Sequence, residues 1–565
     1  MSTGTAKHRA ASSSRGSGPF WLCLLLIVAG VVYPADPTGW LGSDDSAYFN
    51  AAEQILHGQT IQRVHHHPSR LSAILPVTVS LGIFGSHVFA VILPALISAL
   101  GCLTLTAYLG RLLWGWPQGL LAAAFVAGTP YFRTLATTAY PDIYVCLYAT
   151  ASLVCAFRAY QSADRSPRWW WALASAVAVG LAASAKIVAI ALLIPVAVIV
   201  CANPPLRSRD KLLTLGGLTA GCLVFFVAHG LLSAYLTGDF WFKLRALQLA
   251  EQFDPSLSHR RVESLGDYAA LAAYRLAMPF RFGESGWGVW GVLFWPAMLS
   301  TIWMGRRARL LAFAAAILFS ILSLVPVKFS SGLYPFVFFN GRHALFLMIP
   351  FALIAGRLLM SLAARIADQE WAARWAPISA ILLLACGRFG PQGVEGFKNR
   401  PLRRIGVAIQ EVAAAIPLSE HRPIFMPASL YLRYRILFPA RLRERLRVAV
   451  DEQSPNWWRD ATADVAKRRE TLPPPSEALL LATPKQMRGE AEDWDYGVTL
   501  PRVDLRAWSD FRSSCSTIAE DQHKLLLLWG TKSEGVAASA PRESKSEASP
   551  APRLASTPVS PKRDD

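Results

Sequence analysis

Two adjacent carboxylates with a phenol three residues on, Asp44-Asp45-Ser46-Ala47-Tyr48, open a helical stretch just beyond the first apolar segment of the chain. A carboxylate at such a place can take a proton from a hydroxyl nucleophile. It can equally be structural, because acidic side chains favour the positive end of a helix dipole. Their company separates the two readings. His65, His66 and His67 follow in the same loop, and Asp142, Lys186, Lys328 and Arg342 recur at the edges of later apolar runs. Charges at a membrane edge are costly and default to functional roles, although a single one is also consistent with a side chain that snorkels to water.

The elements that must position these residues are membrane helices. Of 565 residues, 53% are hydrophobic and 17% charged, and the apolar ones come in long blocks, which defines a polytopic membrane protein. A formal charge of +18 would suggest nucleic acid in a soluble chain. Here many basic residues sit in short loops beside apolar runs, where they orient a membrane protein, and nucleic acid is excluded as a partner. The eight cysteines lie mostly in apolar segments, so neither a disulfide framework nor a paired-cysteine metal motif is expected.

Residues 1–19 read as a cytoplasmic tail rich in Ser, Gly and Ala, ahead of an uncleaved first helix from Phe20 to Tyr33. An external loop over 36–87 then carries two amphipathic pieces, Ala47 to Leu56 and Leu71 to Phe84, that suit the membrane surface. Further apolar runs bring the total to about eleven spans, ending near residue 388. Clusters such as Arg158, Arg165 and Arg168, then Arg306, Arg307 and Arg309, alternate as the positive-inside rule requires. The exception is Thr237 to Gly286, an external segment with Lys243, Arg245, Arg260, Arg261, Arg275 and Arg281, whose cations suit an anionic ligand or lipid head groups. Residues 389–532 read as a small extracytoplasmic α/β domain, with a helix near Ile405 to Ile416 and short apolar strand-like runs. Residues 533–565 have almost nothing to bury and are expected to be disordered.

On this topology the candidate residues gather at the external face. In order and spacing they resemble the GT-C glycosyltransferases that take sugar from a polyprenyl-phosphate carrier, including the protein O-mannosyltransferases and the aminoarabinose and galacturonic acid transferases. The resemblance rests on Asp44-Asp45-Ser46-Ala47-Tyr48 with Ala51 and Gly58, and on His67-Pro68-Ser69-Arg70-Leu71 through Phe84-Gly85. It continues in Pro130-Tyr131-Phe132 with Tyr140-Pro141-Asp142, in Gly180 through Lys186, and in Gly341-Arg342-His343-Ala344. Two positions depart from the family pattern: Ser69 replaces its usual second proline, and His67 stands where a lysine is common in the aminoarabinose branch.

The resemblance implies an α-helical GT-C membrane domain over 20–388 and a polyprenyl-phosphate sugar donor bound among membrane lipids. It implies Asp44 as general base with Asp45 as helper or substitute, and Asp142 orienting the acceptor or supporting the base. Lys186 and Arg342, with His67 and Lys328, would hold the departing phosphate, and Tyr48 and His66 would shape the groove. A single displacement by this machinery inverts the anomeric carbon. The acceptor stays open between glycolipid, polysaccharide and protein. No cofactor is required by this reading. A divalent metal at His65 and His67 is the rival, weakened because three consecutive residues cannot all face one ion. A transporter or flippase of lipid-linked sugars is the alternative from another class. It would be expected to show inverted repeats and mid-span charges, and neither is evident. A non-catalytic scaffold ranks last.

Overall fold

The computed structural model describes residues 39–40, 44–61, 67–162, 164–202, 207–246, 264–277, 288–324, 326–329, 332–335, 345–366, 368–389 and 401–449, with short segments at 469–470, 477–482, 493–494, 498–499, 516–520 and 527–530. The expected N-terminal tail and first helix, His65, His66, Arg342 and the tail after 533 lie outside these residues.

The first half of the chain is a helical bundle. Its helices are α1 (Asp44–Leu56), α2 (Leu71–Phe84), α3 (Val88–Leu113), α4 (Trp116–Gly128), α5 (Pro130–Ala136), α6 (Pro141–Gln161), α7 (Arg165–Ala185), α8 (Leu193–Cys201) and α9 (Ser208–Thr237). Trp116 to Phe132 reads in the sequence as one apolar run but forms two helices, because Thr129 turns extended ahead of Pro130, whose ring cannot continue the ladder. After α9 come α10 (Leu265–Ala277), α11 (Phe294–Ser300) and α12 (Arg306–Leu324), the short hairpin β1 (Pro326–Phe329) and β2 (Gly332–Pro335), then α13 (Met348–Ile366) and α14 (Gln369–Phe389). Among the described residues, four helices are long and apolar enough to cross a membrane: Val88–Leu113, Pro141–Gln161, Ser208–Thr237 and Leu345–Ile366, the last being α13 with the turn before it.

Small residues set the packing. In α4, every residue from Pro117 to Gly128 is buried, since α3, α13 and α14 surround it. Its crossing with α3 is glycine on glycine: a Cβ on Gly110 would lie 2.4 Å from the Gly119 Cα, and one on Gly119 only 2.1 Å from the Ala107 carbonyl oxygen. Between α6 and α7, Ser175 Oγ donates to the Ser152 carbonyl at 2.8 Å, a hydrogen bond between apolar helices.

From residue 401 the character changes. A helix, α15 (Pro401–Ala415), precedes β3 (Ile424–Met426), α16 (Ala428–Tyr434), α17 (Ala440–Arg443), β4 (Leu446–Ala449), β5 (Arg469–Glu470) and β6 (Leu479–Ala482). The small ribbon β7 (Asp493–Trp494) and β8 (Val498–Thr499) follows, then β9 (Ser516–Glu520) and β10 (Leu527–Gly530). Six strands form one sheet in the order β5-β4-β3-β6-β10-β9. Its β3, β4, β5 and β6 pairings are parallel, while β10 runs antiparallel to β6 and β9. Parallel pairing of β3 with β4 needs a crossover, which α16 and α17 supply.

This sheet region and α1 share one apolar core. Tyr48, Phe49 and Ala52 of α1, with Ile74 and Val77 of α2, pack with Ile409, Met426, Tyr431 and Tyr434. Polar links run beside that core: Trp40 Nε1 donates to the Arg433 carbonyl at 2.8 Å, and Arg435 Nη2 meets Glu53 Oε2 at 2.5 Å. Glu53 in turn accepts from Ser86 Oγ at 3.0 Å, and Arg443 donates to the Ser86 carbonyl. The helix that begins with Asp44 is thereby held from behind.

Candidate active site at one end of the bundle

Asp44 and Asp45 are the first residues of α1, where the dipole favours them, yet their surroundings differ. Asp45 is fully buried and its Oδ1 accepts from the Ser46 amide at 3.0 Å. Asp44 keeps 18% of its side chain exposed and places Oδ1 4.0 Å from His67 Nδ1. Of the pair, Asp44 is the more exposed carboxylate.

His67 opens a one-turn 3-10 helix with Pro68 and Ser69, both buried, which fixes the ring against α1. Its Nδ1 lies 3.4 Å from the Tyr48 hydroxyl, and the two rings are tilted by 37° at 5.8 Å. Tyr48 is one turn along from Asp44, so helical spacing brings both to the same imidazole. Arg70 donates Nη1 to the Tyr48 oxygen and places its guanidinium 5.7 Å from the centre of that ring. Asp44, His67, Tyr48 and Arg70 therefore form one contiguous cluster.

A second group adjoins it through Ser184, near the end of α7. The Ser72 amide donates to Ser184 Oγ at 3.2 Å, His229 Nε2 lies 3.0 Å from the same oxygen, and Lys243 Nζ donates to the Ser184 carbonyl at 2.7 Å. That carbonyl is among the last of α7, which ends as Lys186 turns extended, and helix-end carbonyls need such donors. Burial, with the positive charge of Arg70 adding to it, lowers the Lys243 ammonium from 10.5 to about 7. Two residues beyond Ser184, Lys186 Nζ sits 2.5 Å from Asp142 Oδ1, with side-chain exposures of 10% and 3%. Asp142 lies in the first turn of α6 beside Pro141, again where a helix start favours an acid.

The sequence candidates thus divide. Asp44, His67 and Tyr48 are brought together, and Asp142 is paired with Lys186. Lys328 lies on β1, and Arg342, His65 and His66 are outside the described residues. Among the described residues no three His, Cys, Asp or Glu side chains converge as a metal site. Arg70 and Lys243 were not singled out as site residues from sequence, although each carried a signal. A cation at the start of α2 opposes the helix dipole, and Lys243 belongs to the basic segment that departs from the alternation expected of the positive-inside rule.

Comparison with known proteins bears on the fold that carries this cluster. Residues 67–231 match the model of a family described as dolichyl-phosphate-mannose-protein mannosyltransferase. The matched stretch contains His67, Arg70, Asp142, Lys186 and His229 and begins after Asp44. In solved structures, ArnT from Cupriavidus metallidurans bound to undecaprenyl phosphate superposes with a TM-score of 0.55 at 15% identity, covering 91% of this chain and 98% of that one. This is a GT-C fold. The apo form of the same ArnT gives a TM-score of 0.52 at 16% identity, covering 90% of this chain and 96% of that one. No curated protein matches the chain by sequence. The GT-C fold makes this an integral membrane protein similar to polyprenyl-phosphate-sugar glycosyltransferases, as its motifs indicated.

Proposed function

We propose that the protein transfers a sugar from a polyprenyl-phosphate donor to a hydroxyl of a glycolipid, polysaccharide or protein, at the extracytoplasmic face of a bacterial inner membrane. The observation that carries this reading is the joining of a partly exposed carboxylate to two cations at one end of the bundle: Asp44 through His67 and Tyr48 to Arg70, and the start of α2 through Ser72 and Ser184 to Lys243. Glycosyl transfer from such a donor needs a base and a seat for the departing phosphate, and little else from the protein.

In this reading Asp44 takes the proton of the acceptor hydroxyl as its oxygen bonds to the anomeric carbon. The bond from that carbon to the phosphate oxygen breaks, its electron pair leaves with the polyprenyl phosphate, and the centre inverts. Asp45, buried and bonded to the backbone, holds the start of α1. The charge of Lys186 is already balanced by Asp142, so Arg70 and Lys243, with Arg342, are assigned to the phosphate, and the Asp142–Lys186 pair to the wall of the acceptor side.

The test is transfer from radiolabelled polyprenyl-phosphate sugars to membrane lipids and proteins, comparing wild type with Asp44→Asn. Wild type should label an acceptor, and Asp44→Asn should lower kcat by about 10²–10⁴-fold with the donor KM little changed. Equal transfer by both would remove Asp44 as the base. Wild type that moves labelled carrier across the bilayer without forming a glycoside would mark a flippase.

A further inference from the structure

We propose that His67 is the proton relay of this site, receiving from Asp44 the proton that the acceptor hydroxyl gives up. The inference rests on the glycosyl-transfer reading above and adds a residue to its chemistry. It begins from a need: a carboxylate that acts as base ends the reaction as a carboxylic acid and must be rid of that proton before the next turnover.

The geometry supplies the route. A single ring nitrogen, His67 Nδ1, faces both Asp44 Oδ1 at 4.0 Å and the Tyr48 hydroxyl at 3.4 Å. Arg70 bears on the tautomer. Its guanidinium donates to the Tyr48 oxygen and can only donate, which leaves the phenolic proton for another acceptor, with Nδ1 in reach at 3.4 Å. The relay assigns Nδ1 as the acceptor of the ring, with the hydrogen on Nε2. An unprotonated nitrogen therefore stands beside the carboxylate that is to be discharged. Contacts in apo sites are commonly long and tighten when substrate arrives, which suits a 4.0 Å separation.

The step balances. The Asp44 O–H bond formed during attack breaks as an N–H bond forms at Nδ1, which leaves an imidazolium beside a restored carboxylate. The Nε2 proton then passes to a non-bridging oxygen of the released polyprenyl phosphate, whose second ionisation lies near pH 6 as for other phosphate monoesters, or to water, and exchange with water returns the ring hydrogen from Nδ1 to Nε2 before the next turnover. Among the described residues, the charged and titratable groups that face the ring include Asp44 and Tyr48 on α1 and, across the Tyr48 hydroxyl, Arg70 at the start of α2; Asp45 is buried against the backbone of its own helix. A lysine at this place, held charged by the Asp44 carboxylate beside it, would offer no lone pair to the proton of Asp44.

The experiment uses the full chain in nanodiscs with the donor and acceptor identified by the transfer assay. His67→Gln and His67→Lys should each lower kcat about 100-fold while the donor KM stays within about threefold. Millimolar imidazole should raise the rate of His67→Gly about tenfold and leave wild type unchanged. In wild type, kcat should fall on the acid side as the ring is protonated in advance, and in His67→Lys that limb should move to lower pH, where only Asp44 is left to titrate. A His67→Lys enzyme with wild-type kcat, or one in which only the donor KM rises, would overturn the relay and make His67 a phosphate ligand. Should His67→Gly not fold, the kcat and pH profile of His67→Lys decide the matter. Absence of transfer by wild type would instead sink the glycosyl-transfer reading itself.

Discussion

The two ends of the helical bundle use the same residue types for different work. At the end away from Asp44, arginines close helices: Arg168 donates Nη2 to the Ser162 carbonyl at 2.7 Å, Arg307 donates to Leu113 at 2.8 Å, and Arg306 to Ala202. Each reaches a carbonyl at or just beyond a helix C-terminus, where a cation satisfies an orphan acceptor and the dipole together. At the other end, among the described residues, Lys243 caps α7 in this way and Arg443 reaches the Ser86 carbonyl just beyond α2. Arg70 meets a phenol, Lys186 a buried carboxylate, and His67 lies between a carboxylate and that phenol. Charge at one end is consumed by the fold. At the other, several charges are grouped around Asp44, His67 and Tyr48, where we propose the donor binds.

The sharpest way to break this contrast is the Asp142–Lys186 pair. Lys186→Met leaves a carboxylate buried without its cation, which should cost about 3–5 kcal/mol and lower the melting temperature in detergent. Replacing both partners, as Asp142→Leu with Lys186→Met, should recover most of that stability, because an apolar pair of similar volume substitutes well for a buried ion pair. The double variant should still fail to transfer sugar. If it transfers normally, the pair belongs with the arginines at the far end as a structural device.

This pair also shows what the chain discloses by itself. Asp142 and Lys186 each stood out at helix ends, but 44 positions separate them, and only the packing of α6 against α7 reveals that each neutralises the other. Asp44, Tyr48 and His67 were legible because one helical turn and one short loop determine their proximity. Arg70 and Lys243 were not, since their part in the site is tertiary: one acts through a phenol on α1, the other through the last turn of α7. The helical bundle was readable from apolar blocks, apart from the break at Pro130, which a hydropathy run passes over. The link from Glu53 to Arg435 spans 382 positions and has no local signature at all.

A smaller effect sharpens the site end. Arg70→Met should raise the donor KM about 10–100-fold, the scale of a charge-assisted hydrogen bond to phosphate, with kcat less affected. Lys243 adds a pH dependence. Without donor its ammonium is lowered to about 7, so it is largely charged below that pH and neutral above it. A bound phosphate favours the charged form and raises the value again, so binding takes up a proton once pH exceeds about 7. Donor affinity should therefore fall as pH rises from about 7, by at most about tenfold per unit for one group, until the value in the complex is passed. Lys243→Met should weaken binding and remove this slope. A slope that survives in Lys243→Met would place the titrating group elsewhere.

The least change is expected at the far end. Arg307 is exposed and makes one neutral-acceptor hydrogen bond, to the Leu113 carbonyl at the close of α3. Water can replace that donor at an exposed helix end, so Arg307→Ala should cost less than about 1 kcal/mol and leave kcat and donor KM at wild-type values. Both quantities are needed. A loss of stability alone would only resize the cap, whereas a tenfold loss of transfer with stability intact would mean that α3 carries the state of its far end to His87 and α2, beside the cluster of Asp44, His67 and Arg70. The two ends would then be one coupled device, and the contrast between capping charge and working charge would fail.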